Sequence, residues 1–345
     1  MRNIVIFSVF LMCAITNLPA QEQINVQNGT KSEFYTDLET AIQQAAAGDT
    51  IYLPGRVIRV QNDLNIGKKL TIIGAGWDTD SVGGLSITEI LRGSTGNTHA
   101  NVSFGTGSDG SMITGCYVQT INIGYMNAYN QPQQIVSNVT IWRNVTLGTI
   151  SLGVADNDGV NNKVTQIYIR ENVIASTLTG HYASDCFIYN NLCGNISNFS
   201  NNTIIYNNVI NGYIQYLIYC TVENNFINST NIAGSTYSNF NNNAFAGSVT
   251  FPNGTNEGSN NLNQTSQQTF EVNNLALPKY LTIRADSPCK NAGTDGTDIG
   301  MYGGMTPYKP GALPINPHID QVYVAGHTDK DGKINVNIQA SAQTY

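Results

Sequence analysis

Arg143, Asp156, Asp158, Lys163, Arg170, Glu171, His181 and Asp185 crowd into one stretch of the chain. A base such as Lys or Arg can abstract a proton once its environment lowers its pKa, and two carboxylates can share acid and base work across a glycosidic bond. Proton-transfer chemistry in the middle of the chain would have to sit here, because from 186 to 256 the only ionisable acid or base besides Tyr and Cys is Glu223. Arg143 and Glu171 hold equivalent places in a repeat, each one residue before an Asn, and read as an outward, solvated ion pair. Asp156-Asn157-Asp158-Gly159 has the look of half a calcium loop, but Asx and Gly turn chemistry accounts for it and no bidentate acid follows. No residue is singled out as catalytic, and neither a metal nor a cofactor is expected. A second constellation is aromatic, made of Trp142, Tyr168, Phe187, Tyr189 and Tyr206 with Arg170 among them.

What positions these groups is a repeat. The phrases CFIYNNLC, TIIYNNVI, CTVENNFI and SNFNNNAF carry Asn191, Asn208, Asn225 and Asn243 at spacings of 17, 17 and 18 residues, and the register reaches back to Asn172, Asn144 and Cys116. A constant short period means a repeat architecture, and alternating β-branched and aromatic residues make each copy strand-rich. The third residue before the Asn (Ile113, Ile141, Ile169, Ile188, Ile205, Val222, Phe240) and the fifth (Ser111, Val139, Ile167, Cys186, Thr203, Cys220, Ser238) should face inward. A further inward site falls about six residues after it, at Ile150, Leu178, Ile196, Ile214, Ile232 and Val249. The Asn itself is expected at the bend, in left-handed geometry, its amide bonded to the same amide in the coils above and below. Two residues before it lie Trp142, Arg170, Tyr189, Tyr206 and Glu223, and four before it Thr140, Tyr168, Phe187, Ile204 and Thr221. One outer face therefore carries Trp142, Tyr168, Arg170, Phe187, Tyr189 and Tyr206. It is either an open binding platform, since flat rings suit the C–H faces of sugars, or a seam covered by a loop or by the C-terminal hairpin.

This pattern resembles the right-handed parallel β-helix proteins of the pectin-lyase-like superfamily, over roughly 34–304. The resemblance implies an all-β solenoid with an N-terminal capping helix, and a function among polysaccharide lyases, hydrolases, adhesins and secreted proteins without a reaction. Lyases of that kind abstract a proton with Lys or Arg while acids hold calcium, and hydrolases pair carboxylates on adjacent coils. The bareness of the coils from 186 to 256 favours a non-catalytic module that binds a glycan or a protein; the alternative is a lyase or hydrolase acting on an acidic polysaccharide.

Along the chain, 1–20 reads as a secretory signal peptide cleaved near Ala20, giving a secreted, periplasmic or cell-surface product with no other stretch long enough to span a membrane. A net charge of −7 with 11% charged residues excludes a protein that wraps nucleic acid. A lead-in covers 21–33, the solenoid 34–304, a linker 305–314 and a β-hairpin appendage 315–345, the whole acting as a monomer. The helix is expected from Thr36 to Ala47, with Thr36 and Glu39 as a capping box and Gly48 as the stop. Gly105–Gly110 spells GxGxxG but lacks a following helix, so it reads as a loop. The 28-residue spacings around Asn144 each imply about ten residues looped out of the coil. The segment YLTIRADSPCKNAGTDGTDIGMYGG should close the solenoid's end. Cys186 and Cys220, two coils or roughly 9–10 Å apart, are too distant for a disulfide, which leaves a local Cys186–Cys193 pair as the alternative.

Overall fold

The computed structural model describes residues 23–78, 87–124, 134–153, 164–251, 255–309, 318–324, 327–328 and 330–341. Residues 1–20, expected to be a signal peptide, and Asp156–Gly159, expected to form a turn, lie outside them. The chain winds into a parallel β-helix. A front sheet stacks Thr71–Ile73, Met112–Thr114, Thr140–Trp142, Tyr168–Arg170, Phe187–Tyr189, Ile204–Tyr206, Thr221–Glu223, Ser238–Asn241 and Asn256–Ser259, all parallel. A rear sheet stacks the strands that follow each bend, among them Val145–Thr146, Val173–Ala183, Leu192–Phe199, Val209–Ile210, Phe226–Ile227 and Ala244–Phe245.

The register is in phase from coil to coil. Ile113, Ile141, Ile169, Ile188, Ile205, Val222 and Phe240 lie opposite one another and are fully buried. The fifth-residue column is buried too, as are Ile150, Leu178, Ile196, Ile214 and Ile232, while Val249 is half-buried. Period-two alternation thus builds a continuous inner core. In the two 28-residue spacings, the residues after Gly124 and after Gly153, where the looped-out segments are expected, lie outside the described residues.

The amide ladder runs as expected and one rung further. Each ladder Asn accepts the backbone N–H of its counterpart in the preceding coil, from Cys116 onto Asn144 at 3.1 Å through Asn144, Asn172, Asn191, Asn208 and Asn225 to Asn243 onto Asn261 at 2.9 Å. The left-handed residue, however, is the one before it. Gly115, Arg143, Glu171, Asn190, Asn207, Asn224, Asn242 and Asn260 have φ between 53° and 71°. The bend needs one residue with an inverted backbone, and a ladder Asn donating to a carbonyl two residues back, as Asn208 does to Tyr206 at 3.0 Å, leaves that task to its neighbour.

Both ends depart from the sequence reading. The helix spans only Leu38–Gln44; Asp37 is its N-cap, accepting from Thr40 N–H, and Ala45 ends it in place of Gly48. Glu39 instead accepts from the N–H groups of Gln61 and Asn62, tying the helix to the first coil. The lead-in forms an antiparallel hairpin, Ile24–Asn28 with Lys31–Tyr35, which pairs with Thr50–Tyr52 and presents charged Lys31 and Glu33 at the sheet's edge. The GxGxxG segment is a loop after the strand Asn101–Phe104 and leads into Met112–Thr114, not into a helix.

The closing segment does not finish the solenoid's end. It turns back and runs along the bend beside the ladder. Asn242 Nδ2 donates to Ala292 O at 2.9 Å, Asn224 exchanges bonds with Thr294, Asn190 Nδ2 reaches Met301 O and Gly303 O at 2.8 and 3.0 Å, and Lys309 N–H donates to Glu171. This strap buries a second apolar cluster in which Val145, Val173, Leu192, Val209, Phe226 and Ala244, each directly after a ladder residue, meet Phe270, Leu281, Ile299, Met301 and Tyr308. The start of the expected linker, through Tyr308 and Lys309, belongs to it. Beyond it, His318–Val324 and Val336–Ser341 form an antiparallel hairpin that joins neither large sheet.

Candidate functional site

The outer face of the front sheet displays two columns of side chains, because residues two apart along a strand point the same way and parallel in-register pairing stacks equivalent positions. In one column Tyr168 and Phe187 stack with ring centroids 5.3 Å apart and planes 4° from parallel. In the other, Tyr189 and Tyr206 stack at 4.8 Å and 10°. These four rings and Ile204 are half-buried. In that second column Trp142 and Arg170 precede Tyr189, and Glu223, Asn241 and Ser259 follow Tyr206. Asn241 donates to Glu223 at 3.3 Å and Ser259 to Asn241 at 2.7 Å. Burial raises both tyrosine hydroxyls above their ordinary pKa, with neighbouring Arg170 pulling each the other way, so both stay protonated hydrogen-bond donors at neutral pH.

Trp142 leaves the expected platform. It is 4% exposed, its indole N–H donates to Glu171 at 2.8 Å, and the guanidinium groups of Arg143 and Arg170 lie over its ring, 4.5 and 4.0 Å from the centroid. The Arg143–Glu171 pair is likewise not a solvated rung. Arg143 is 1% and Glu171 3% exposed, joined Nε to Oε2 at 2.8 Å. The strap is the reason, since Tyr308 is buried beside them and Lys309 N–H also donates to Glu171. Burial pulls the Arg143 guanidinium below its ordinary pKa and Glu171 pushes back. Of the six expected platform residues, Tyr168, Arg170, Phe187, Tyr189 and Tyr206 therefore stand together, half-buried, on this face, and the buried Trp142 packs against Arg170 from the preceding coil.

The described cysteines form no disulfide. Cys116, Cys186, Cys193, Cys220 and Cys289 are free and buried, Cys186 and Cys193 included, and burial pushes the thiols of Cys116, Cys186 and Cys220 up to about 12, far from reactive thiolates. Among the described residues no group of three or more His, Cys, Asp or Glu is placed to hold a metal, and no helix is long and apolar enough to cross a membrane.

Sequence reasoning missed a further aromatic group at the opposite bend. Tyr216, Tyr219 and Tyr237 are 53%, 55% and 56% exposed, with Tyr219 and Tyr237 stacked at 4.9 Å. The available signal was that Tyr219 and Tyr237 stand six residues before a ladder Asn, where Asn202 and Asp185 stand in the two preceding coils. Compared with family models, with curated proteins and with solved structures, the chain matches none.

Proposed function

We propose that this is an exported, non-catalytic glycan-binding β-helix of the pectin-lyase-like kind, acting as a monomer, whose front sheet holds an extended carboxylated polysaccharide. The observation that carries the reading is the pair of parallel ring stacks, Tyr168–Phe187 and Tyr189–Tyr206, on one face. Sugar rings stack on such π surfaces while tyrosine hydroxyls, Asn241 and Ser259 meet their hydroxyls, and Arg170, backed by Trp142, supplies a cation for a carboxylate. Hydrolytic chemistry is poorly served. Glu223 is the one carboxylate of the column, where hydrolases need two ~5–9.5 Å apart, and the column's cation, Arg170, lies three coils or roughly 14 Å away from it. The leader at 1–20 and the scarcity of charge support export.

Affinity electrophoresis through gels containing polygalacturonate tests the reading. The wild-type protein should be retarded, and the Tyr189→Ala, Tyr206→Ala double variant should bind roughly 5–150-fold more weakly, the equivalent of about 1–3 kcal/mol for aromatic contacts. Unretarded wild-type protein, or release of unsaturated or reducing products from the polymer, would defeat the proposal.

A further inference from the structure

We propose that the bend carrying Tyr216, Tyr219 and Tyr237 is a second carbohydrate-binding surface, separate from the front sheet, and that it takes a neutral polysaccharide. The backbone supplies the first argument. Tyr216, Tyr219 and Tyr237 all sit in left-handed geometry, at φ 53°, 54° and 53°. Bulky side chains rarely adopt it, and where they do the strain tends to mark a functional position. The neighbouring coils use residues that tolerate it, Asn202 where Tyr219 and Tyr237 stand, and Asn198 and Gly234 on either side of Tyr216. A side chain at Gly234 would strike the ring of Tyr216, so the glycine lets that ring lie down on bare backbone. The fold thus accepts strain at three positions to show rings that are more than half exposed.

The second argument is concavity beside these rings. A cavity of about 440 Å³, lined by His181, Asn198, Phe199, Ser200, Tyr216, Ile218 and Gly234, has Tyr216 in its wall. Another, of about 390 Å³, is lined by Tyr237, Asn239, Thr255, Asn256 and Glu257. Both volumes fall in the range that holds small ligands. The first joins aromatic and aliphatic walls to amide and hydroxyl groups and the second is mostly polar, a mixture that suits the C–H faces and hydroxyls of sugar units. Charge selects the class of sugar. No Lys or Arg occurs between Arg170 and Lys279, burial keeps His181 below its ordinary pKa and so neutral near pH 7, and the one formal charge among these lining residues is the Glu257 carboxylate. A polymer bearing carboxylates would meet nothing to pair with, whereas a neutral one meets only hydrogen-bonding groups and rings.

The test separates binding from stability. Replacing all three tyrosines with Asn, which tolerates left-handed geometry, should leave the melting temperature unchanged or raised. In gels containing xyloglucan or galactomannan the wild-type protein should be retarded and the triple variant should lose at least tenfold in affinity, while its retardation by polygalacturonate stays as in the wild type. The Tyr189→Ala, Tyr206→Ala variant should behave the opposite way, so failure at one surface is distinguishable from failure at the other. The proposal is overturned if neither neutral polymer retards the wild-type protein, if the triple variant keeps its affinity, or if its melting temperature falls with the loss of binding, which would make the tyrosines a structural stack.

Discussion

Two bends of each coil adopt the same left-handed backbone and meet different surroundings. Beside the ladder stand Arg143, Glu171, Asn190, Asn207, Asn224 and Asn242, and at the far end of the front strands stand Asn138, Gln166, Asp185, Asn202, Tyr219 and Tyr237, all with φ between 53° and 60°. The first row is buried or nearly so under the strap; the second is open to water at Asn202, Tyr219 and Tyr237. Under cover, a left-handed residue must also satisfy the backbone laid over it, and an Asn amide can do so with donors and acceptors alike. At the open bend the N–H groups of Asp185, Asn202 and Tyr219 donate to carbonyls of the next coil, at Asn201, Tyr219 and Thr236, and with no strap laid over them their side chains have no covering backbone to satisfy, so the position accepts a ring. Backbone geometry fixes where an inverted residue is required, and what lies outside it decides which one is used.

Removing the cover should produce the largest effect. A chain ending at Gln264 would expose Val173, Leu192, Val209 and Phe226 and strip Asn190, Asn224 and Asn242 of their strap partners. Such a patch drives association. The truncated protein should bind a hydrophobic dye and melt well below the intact chain, whereas deleting the hairpin alone, 318–345, should leave the melting temperature nearly unchanged. Equal loss in the two truncations would mean that the hairpin, not the strap, secures this flank.

The charged rungs come next. Glu171→Gln keeps the shape but leaves Arg143 buried without its counter-ion, and breaking a buried pair from one side costs about 3–5 kcal/mol. Chemical denaturation should read that loss. Asp185→Asn, at the open bend, should stay within about 0.5 kcal/mol of wild type.

Adjacent asparagines sharpen the contrast. Asn208 donates to Ile188 O, Tyr206 O and Asn225 Oδ1 and accepts from Asn191 N–H, all in the core, so Asn208→Ala leaves several buried groups unpaired, at about 1–3 kcal/mol each before relaxation. Asn207 only reaches the strap carbonyls of Asp298 and Gly300 at 3.5 Å. Asn207→Ala should cost about 1 kcal/mol, mostly for left-handed alanine, and Asn207→Gly should recover most of it. Similar losses at 207 and 208 would deny that the ladder carries the coil.

Much of this could be read from the residues themselves. The ladder and the inward columns follow from a strict period, because in-register parallel pairing repeats every side chain's environment, and the stacks of Tyr168 on Phe187 and Tyr189 on Tyr206 come from the same register. The strap could not be read that way, since it depends on contacts across 50 to 138 residues, such as Asn242 to Ala292 and Glu171 to Lys309. A hint was present. Val145, Val173, Leu192, Val209 and Phe226 are apolar directly after an inward Asn, on the side alternation assigns to solvent, and an apolar outward column needs a cover. Once the cover is known, the burial of Trp142, Arg143 and Glu171 follows.

The smallest effect probes the open bend. Asn202 stands one coil before Tyr219 at the same left-handed position, exposed, donating to Asp185 at 3.2 Å. Asn202→Tyr would extend the Tyr219–Tyr237 stack to three rings. A third ring at ~5 Å adds about 0.5–1.5 kcal/mol, while placing a bulky residue at positive φ costs about 1–3 kcal/mol. Strain should win narrowly, with a net loss of about 1 kcal/mol, and the reverse change Tyr219→Asn should gain a similar amount or nothing. A clear gain for Asn202→Tyr in thermal melting would show that stacking alone repays the strained backbone, and the tyrosines of this bend would then need no ligand to explain them.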